Sequence, residues 1–456
     1  MKSIIVGGGK VGFALAANLC KEGHDVTVID SDRSRLDLME EHLNISTVHG
    51  NAARLETLAA ADAAASDLII AVTDKDELNL VTCFLAHRAG VKSAVARVRA
   101  PGYSDLNNSD ALSALGIDML INPEKVTAQE IGKLIAYPEA NHVSYFGGGQ
   151  IVMMELHLPA DCARLNVPLH QLKCPVPCII MGIEHEGQLI IPRGNDRLSA
   201  GEDVLLLTAV KDVRQVEDYM GIAHLRPTDI VILGGGLAGY YLAELLDRSD
   251  HHYNVKIFEP DRAQAEEMAS QLKHTTVINC SSEAAISMFE DENVGSSDLL
   301  IAVSEDDKVN LFACVAANHL GVGKTISQIR GEYASLIVQV GAETVVSPNR
   351  LTLNTILTFI NRNRVLSLTR FVDSPGQITE FLITPGAPAA GRKIKDIRMP
   401  LSTLICMIIR EGRHLIPNGE DLILPGDSLI IFSLPEALPQ LERLLSASKE
   451  RHSREA

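Results

Sequence analysis

The chain has 456 residues, a formal net charge of −17 and a hydrophobic content of 46%. The length suggests about three domains at roughly 150 residues each, and the apolar content supplies a sizeable core. The acidic balance excludes nucleic acid as a main partner, because a phosphate backbone needs a surplus of Lys and Arg on the binding face.

The chain opens with SIIVGGGKVGFALAANL from Ser3, read as a buried strand, a glycine turn and a helix over 11–19. HDVTVID follows as a second strand ending at Asp30, then STVHGNA around His49 and Gly50. DLIIAVTDKDELNL from Asp67 reads as strand, turn and helix, and SAVARVRAPGY carries a fifth strand ending at Arg97. Short apolar runs alternating with amphipathic stretches predict a parallel sheet covered on both faces, doubly wound by right-handed crossovers. A helix pattern over 123–136 leads to CIIMGIEHEGQLIIPRGNDRLSAGEDVLLLT, residues 178–208, whose short alternating strands and Gly turns predict a small α+β module.

The second half repeats this order, which makes the chain a tandem duplication. DIVILGGGLAGYYLAEL from Asp229 repeats the glycine turn, with a helix over 237–246. YNVKIFEP brings Glu259 to the place of Asp30, TTVINCS matches STVHGNA, DLLIAVSEDDKVNL matches DLIIAVTDKDELNL, and KTISQIRGEY matches SAVARVRAPGY. After a helix over 349–360, CMIIREGRHLIPNGEDLILPGDSLIIFS repeats the small module. There Pro192, Gly194, Leu198, Gly201 and Asp203 match Pro417, Gly419, Ile423, Gly426 and Asp427, with one position of slack at the last. RPTD at 226–229 reads as the hinge between halves. The expected division is 1–122, 123–225, 226–347 and 348–446, with a polar, frayed tail at 447–456.

Gly7-x-Gly9-x-x-Gly12 follows a strand and opens a helix, the context in which this spacing points to a dinucleotide. The first glycine permits the tight turn, the second a close pyrophosphate, and the third close packing of helix on strand. Gly8, Lys10 and Val11 lie within the turn, whose free N–H groups face an anion. Asp30 can accept hydrogen bonds from both ribose hydroxyls and would repel a 2′-phosphate. It therefore favours NAD over NADP without separating NAD from ATP or ADP. Gly50, Asn51, Thr73 and Asp74 fall at strand ends facing the same ligand, and Arg97 offers a forked guanidinium to phosphate. The second half offers Gly234, Gly235, Gly236, Leu237, Ala238, Gly239, Glu259 and Ser304. It departs at Cys280, in place of Gly50, and at Gln328, in place of Arg97, so weaker binding or a structural role is expected there.

No run approaches the ~20 apolar residues needed to cross a bilayer; the nearest, LSTLICMIIREGRHLI, is broken by Arg410 and Glu411. The first residues enter a strand directly, with no charged-then-apolar leader. The expectation is a cytoplasmic protein that reaches a membrane only through a partner. The eight cysteines fall mostly in apolar runs and read as buried thiols; CPVPC at 174–178 lacks the second pair that a zinc site shows. A competing reading is an NAD-dependent oxidoreductase. It needs a general acid or base and a cation beside the nicotinamide, and the histidines, His49, His157 and His185 among them, are scattered.

VGGGKVG with Asp30, DLIIAVTDKDELNL, ARVRAPGY, INPEKVTAQEI and the turns at 192–203 together resemble the TrkA-like family of Trk potassium-uptake regulatory subunits, across residues 1–446. That resemblance implies two tandem RCK units, each a nucleotide-binding Rossmann-like domain with a small C-terminal module. It implies regulation by NAD(H) and ATP or ADP rather than catalysis. It further implies a homotetrameric ring docked under a Trk-type potassium-translocating membrane subunit, with the helices after Asn122 and at 348–360 swapped over a partner domain. Relatives of this fold also bind cations, an alternative for the carboxylate-rich turns GNDRLSAGED and NGEDLILPGD, but turn acids usually just meet solvent and no metal site is expected.

Overall fold

The computed structural model describes residues 1–104, 110–185, 188–331, 341–361, 366–370 and 376–446. The expected tail at 447–456 lies outside the described residues.

The first six strands, β1 (Lys2–Val6), β2 (Asp25–Asp30), β3 (Ser46–His49), β4 (Leu68–Ala71), β5 (Ser93–Arg97) and β6 (Met119–Ile121), form a parallel sheet in the order β3-β2-β1-β4-β5-β6. β-branched runs suit strands covered on both faces. Ile5 sits between Val28 and Ile70, and all three are fully buried. The strand order reverses between β1 and β4, where doubly wound sheets open a crevice at the strand C-termini.

A five-stranded antiparallel sheet follows, with β7 (Ala140–Phe146), β8 (Ile151–His157), β9 (Cys178–His185), β10 (Gln188–Ile190) and β11 (Asp203–Ala209) in the order β10-β9-β11-β8-β7. The second half repeats both sheets. β12 (Asp229–Leu233), β13 (Asn254–Glu259), β14 (Thr275–Asn279), β15 (Leu299–Ala302), β16 (Lys324–Gln328) and β17 (Thr344–Val346) run in the order β14-β13-β12-β15-β16-β17. β18 (Ser367–Arg370), β19 (Gln377–Leu382), β20 (Thr403–Arg410), β21 (Arg413–Leu415) and β22 (Ser428–Ser433) run in the order β18-β19-β22-β20-β21. The expected α/β architecture, two Rossmann-like parallel-sheet lobes each with a small α+β module, is present.

The chain divides into two compact units, each drawn from both halves. One joins Met1–Ile131 with Asp229–Leu357 and holds both parallel sheets; the other joins Gly132–Thr228 with the residues from Thr358 onward. In the second unit the two antiparallel sheets share one core, in which Phe146, Met153 and Leu207 pack with Ile378, Met407 and Phe432.

The module alignment needs one correction. Glu202 accepts from the Ser199 amide at 2.7 Å, and Asp427 accepts from the Leu424 amide at 2.7 Å. The counterpart of Asp427 is therefore Glu202, not Asp203, which resolves the slack of one position. The two cysteine-led segments are also offset. Thr208 pairs with Cys178 while Ser433 pairs with Thr403, so Met181 is the counterpart of Cys406, where each strand bulges.

Candidate functional site

The first glycine turn leaves β1 and enters the helix Lys10–Lys21. Gly7 has φ +104°, a conformation that a side chain would strain. A Cβ on Gly12 would lie 1.8 Å from the Gly7 carbonyl oxygen, so only glycine fits beneath the turn. A Cβ on Gly9 would meet nothing within 4 Å, so its outer face is open. The N-cap is Gly9 and no side chain caps the helix, whereas Asp32 caps the next helix, Arg33–His42, through the Ser34 amide. The first-turn N–H groups thus stay available, with the positive end of the helix dipole behind them.

Asp30 is buried, with 8% of its surface exposed. The Gly8 amide donates to its Oδ2 at 2.6 Å and the Asp32 amide to its Oδ1 at 2.8 Å. These donors hold an acceptor carboxylate at the mouth of the turn. Gly50 follows β3, its amide donating to the Asp30 carbonyl at 2.9 Å.

Gly7, Gly9, Lys10, Val11, Asp30, Gly50, Asn51, Thr73, Asp74 and Arg97 all line one cleft of about 350 Å³. Gly8 and Gly12 do not line it; one anchors Asp30 and the other lets the helix close on the strand. Arg97 is the feature most suggestive of an anion. Its buried Nε has no hydrogen-bond partner among the described residues, and burial pulls the guanidinium below its ordinary value. An uncapped helix, an orphaned guanidinium N–H and a fixed acceptor carboxylate together fit a phosphate-bearing ribonucleotide.

Asn79 was not singled out from sequence. It is fully buried in the helix Asp76–Ala89. Its amide nitrogen donates to the carbonyls of Thr73, at 3.0 Å, and Arg97, at 2.9 Å, while its oxygen accepts from the Thr73 amide at 3.0 Å and hydroxyl at 2.6 Å. Asn310 repeats the three backbone bonds with Ser304 and Gln328, while the Ser304 hydroxyl donates to the Asp306 carbonyl instead. The signal was available: both halves place Asn between two leucines, or Val and Leu, six residues beyond the strand-end Thr or Ser.

The second turn repeats the backbone design. Gly234 has φ +104°, and a Cβ on Gly239 would lie 2.0 Å from the Gly234 carbonyl oxygen. Gly234, Gly236, Leu237, Glu259 and Ser304 line a wider cleft of about 950 Å³. Gly235, Ala238 and Gly239 lie outside the lining, as do Cys280 and Gln328. Burial pushes the Glu259 carboxyl up from its ordinary value. Gln328 is buried, and its amide nitrogen has no partner among the described residues.

Each cleft also takes residues from the other half. Asn349 lines the first, where Lys10 donates to the Arg330 carbonyl at 3.2 Å. Arg99 lines the second and pairs with Glu305 at 3.4 Å and Glu124 at 2.8 Å. The charge balance differs sharply. Among the described residues, four cations, Lys10, Arg35, Lys75 and Arg97, face two carboxylates in the first cleft. The second has two described cations, Lys75 and Arg99, against six described carboxylates, so the first is the less repulsive setting for a polyanion.

This pair of lobes is an RCK-type fold. The crystal structure of the GsuK RCK domain superposes with a TM-score of 0.61, covering 97% of this chain and 94% of that one at 18% identity. A GsuK channel bound to NAD also gives 0.61, covering 97% and 78%. The TrkA-N domain matches residues 3–123 and 230–348, and the TrkA-C domain matches 153–221 and 378–446. The Trk system potassium uptake protein TrkA of Halomonas elongata is 30% identical over 453 residues, 97% of this chain and 98% of the relative. TrkA homolog 1 of Methanosarcina mazei is 29% identical over 451 residues, 97% and 99% of the two chains. The chain belongs to the TrkA family of Trk system potassium uptake proteins, as the sequence resemblance implied. Among the described residues, no helix is long and apolar enough to cross a membrane.

Proposed function

We propose that the chain is the cytoplasmic regulatory subunit of a Trk-type potassium uptake system. It binds NAD(H), ATP or ADP and so controls potassium flux through a Trk-type membrane-spanning partner. In this reading 1–122 and 226–347 are nucleotide-binding lobes, 123–225 and 348–446 carry the linking helices and small modules, and the working form is a homotetramer on the inner membrane face. The observation that carries the reading is the first cleft, which is lined by both the Asp30 carboxylate and Arg97, whose buried Nε has no partner among the described residues.

The nucleotide supplies a ribose diol and a polyanion. Asp30 takes the diol, and the Gly9–Gly12 turn with Lys10 and Arg97 takes the phosphates, with Gly50, Asn51, Thr73 and Asp74 completing the wall. A ligand shifts a conformational equilibrium only by its differential affinity for the two states. A phosphate chain that reaches toward Asn349 and the Arg330 segment bears on contacts between the lobes, which gives nucleotides of different length different effects.

Rubidium uptake at low external potassium, in source cells lacking the chain, tests this reading. Uptake should return with the intact chain and not with Asp30→Ala, and calorimetry should show weaker ADP and NADH binding by the variant. Full uptake with Asp30→Ala and unchanged binding would remove the first cleft from the mechanism.

A further inference from the structure

Away from both clefts, three side chains from separate segments of the second unit converge. Glu139 lies between the linking helix Pro123–Ala136 and β7, Glu217 on the helix Val213–Met220, and His224 just beyond that helix. Gly221, at φ +76°, ends the helix in a left-handed turn. There the Gly221 amide donates to the Asp218 carbonyl at 3.2 Å and the Ile222 amide to the Glu217 carbonyl at 3.0 Å. The chain is turned back, and the His224 ring comes against Glu217, its Nδ1 2.6 Å from Oε2. One ligand atom each from Glu139, Glu217 and His224 lie within 4.8 Å of one another. The atoms behind this point are held as well. His224 Nε2 donates to Asp218 Oδ1 at 2.8 Å, which turns Nδ1 toward the two glutamates. The Leu225 amide donates to Glu139 Oε1 at 2.8 Å and fixes that carboxylate. A carboxylate behind an imidazole and an amide behind a carboxylate are the outer contacts that orient metal ligands. Glu217 is only 3% exposed; burying it beside a second carboxylate is costly, and a bound dication offsets that cost.

We propose that Glu139, Glu217 and His224 bind one divalent metal ion of the zinc class. None of the three belongs to the carboxylate-rich turns GNDRLSAGED and NGEDLILPGD. Two carboxylates and an imidazole suit zinc better than calcium or magnesium, which take oxygen ligands. Three protein ligands leave the fourth position of a tetrahedral ion to water. The contact between Nδ1 and Oε2 holds one proton; the ion takes its place, and that proton passes to solvent. The chain enters the second unit at Gly132 and leaves it at Thr228. Glu139 follows the entry and His224 precedes the exit, so the ion fastens one segment to the other.

The test strips the full-length chain with EDTA, removes the chelator and titrates zinc chloride by calorimetry. Cobalt chloride then reports the ligands by absorption, and hydrogen exchange is followed with and without zinc. The expected result is saturable binding of zinc, cobalt d–d bands with no thiolate-to-cobalt charge transfer, and slower exchange across 217–228 with zinc but not with equal magnesium chloride. His224→Ala, which truncates an exposed ring, should abolish this binding. Asp218→Asn should weaken it roughly 10–100-fold, because it loosens the ring without removing a ligand. Exchange in the unmutated chain keeps the test independent of whether a variant folds. The proposal is overturned if zinc does not bind, if the cobalt spectrum shows thiolate ligands, if His224→Ala binds as tightly as the parent, or if magnesium slows exchange across 217–228 as much as zinc does.

Discussion

The side-chain amide of Asn79 donates to the backbone carbonyl of Arg97 across 2.9 Å, and the same side chain holds Thr73. One buried residue thus fixes the ends of β4 and β5, which lie side by side at the mouth of the first cleft. Asn79→Ala leaves three partly buried backbone groups of Thr73 and Arg97 without this partner, at a cost of roughly 1–3 kcal/mol. Thermal unfolding should show a lowered midpoint, and calorimetry should show weakened nucleotide binding. Asn310→Ala should lower the midpoint similarly while leaving the first cleft's affinity nearly unchanged.

The glycines of the first turn separate into two kinds. Gly12→Ala drives a methyl group to 1.8 Å from the Gly7 carbonyl oxygen, and the variant should fail to give a folded first lobe. Gly9 has φ −72° and ψ −172°, which alanine adopts freely, and open space before it. Gly9→Ala should therefore unfold within about 1 kcal/mol of the parent and still lose nucleotide affinity, because its methyl group occupies the approach to the helix N-terminus. Circular dichroism and calorimetry on the two variants distinguish packing from ligand contact.

Arg97→Gln copies into the first lobe the residue that the second lobe carries at Gln328. Loss of one charge-assisted phosphate contact is worth about 1.5–3 kcal/mol, or roughly ten- to hundredfold in affinity for ADP. Adenosine, which has no phosphate, should bind both forms alike. Equal loss for adenosine and ADP would show that Arg97 shapes the cleft without meeting phosphate. The salt dependence of ADP binding should also flatten in the variant.

The sequence pattern was sufficient for the two parallel sheets, because short apolar runs between turn residues leave few alternatives. It was also sufficient for most of the first cleft, since Gly7, Asp30, Thr73 and Arg97 each sit at a strand end whose place the repeat fixes. Asn79 escaped because its role is a pair of bonds to backbone, and backbone acceptors have no letter. Asn349 in the first cleft and Arg99 in the second escaped because they arrive from the other half, and spacing along one chain carries no record of how two lobes pair. The slip at Glu202 and Asp203 has a local cause: two adjacent acids both satisfy the pattern, and only the turn's hydrogen bond to the Ser199 amide selects one.

A pH prediction follows from the contact between Glu217 and His224. Their side chains meet at 2.6 Å, with Asp218 on the other ring nitrogen at 2.8 Å and Glu139 beside them. Burial, reinforced by Glu139, pushes the Glu217 carboxyl up to about 7. The folded state thus holds a proton that an unfolded Glu releases near pH ~4.3, and the stability it contributes is lost as pH rises through about 7. The hydrogen bond to Asp218 raises His224 as well, so its contribution is complete below pH ~6.5 and disappears above. Both effects have the same sign. Denaturant unfolding should show stability falling between pH ~5 and ~8, and Glu217→Gln should flatten that slope. A slope that rises with pH, or that the variant leaves intact, would exclude this cluster as its source.

Each lobe lends a residue to the other's cleft, Asn349 to the first and Arg99 to the second. Suppose a ligand in the first cleft changes the affinity of the second by some factor. Thermodynamic reciprocity then requires a ligand in the second to change the first by the same factor. The acidic second cleft therefore need not hold a nucleotide tightly to matter. With such coupling, even a weak occupant there would reset the concentration at which the first cleft fills, and a duplicated chain would tune its own threshold without altering a residue of the site that sets it.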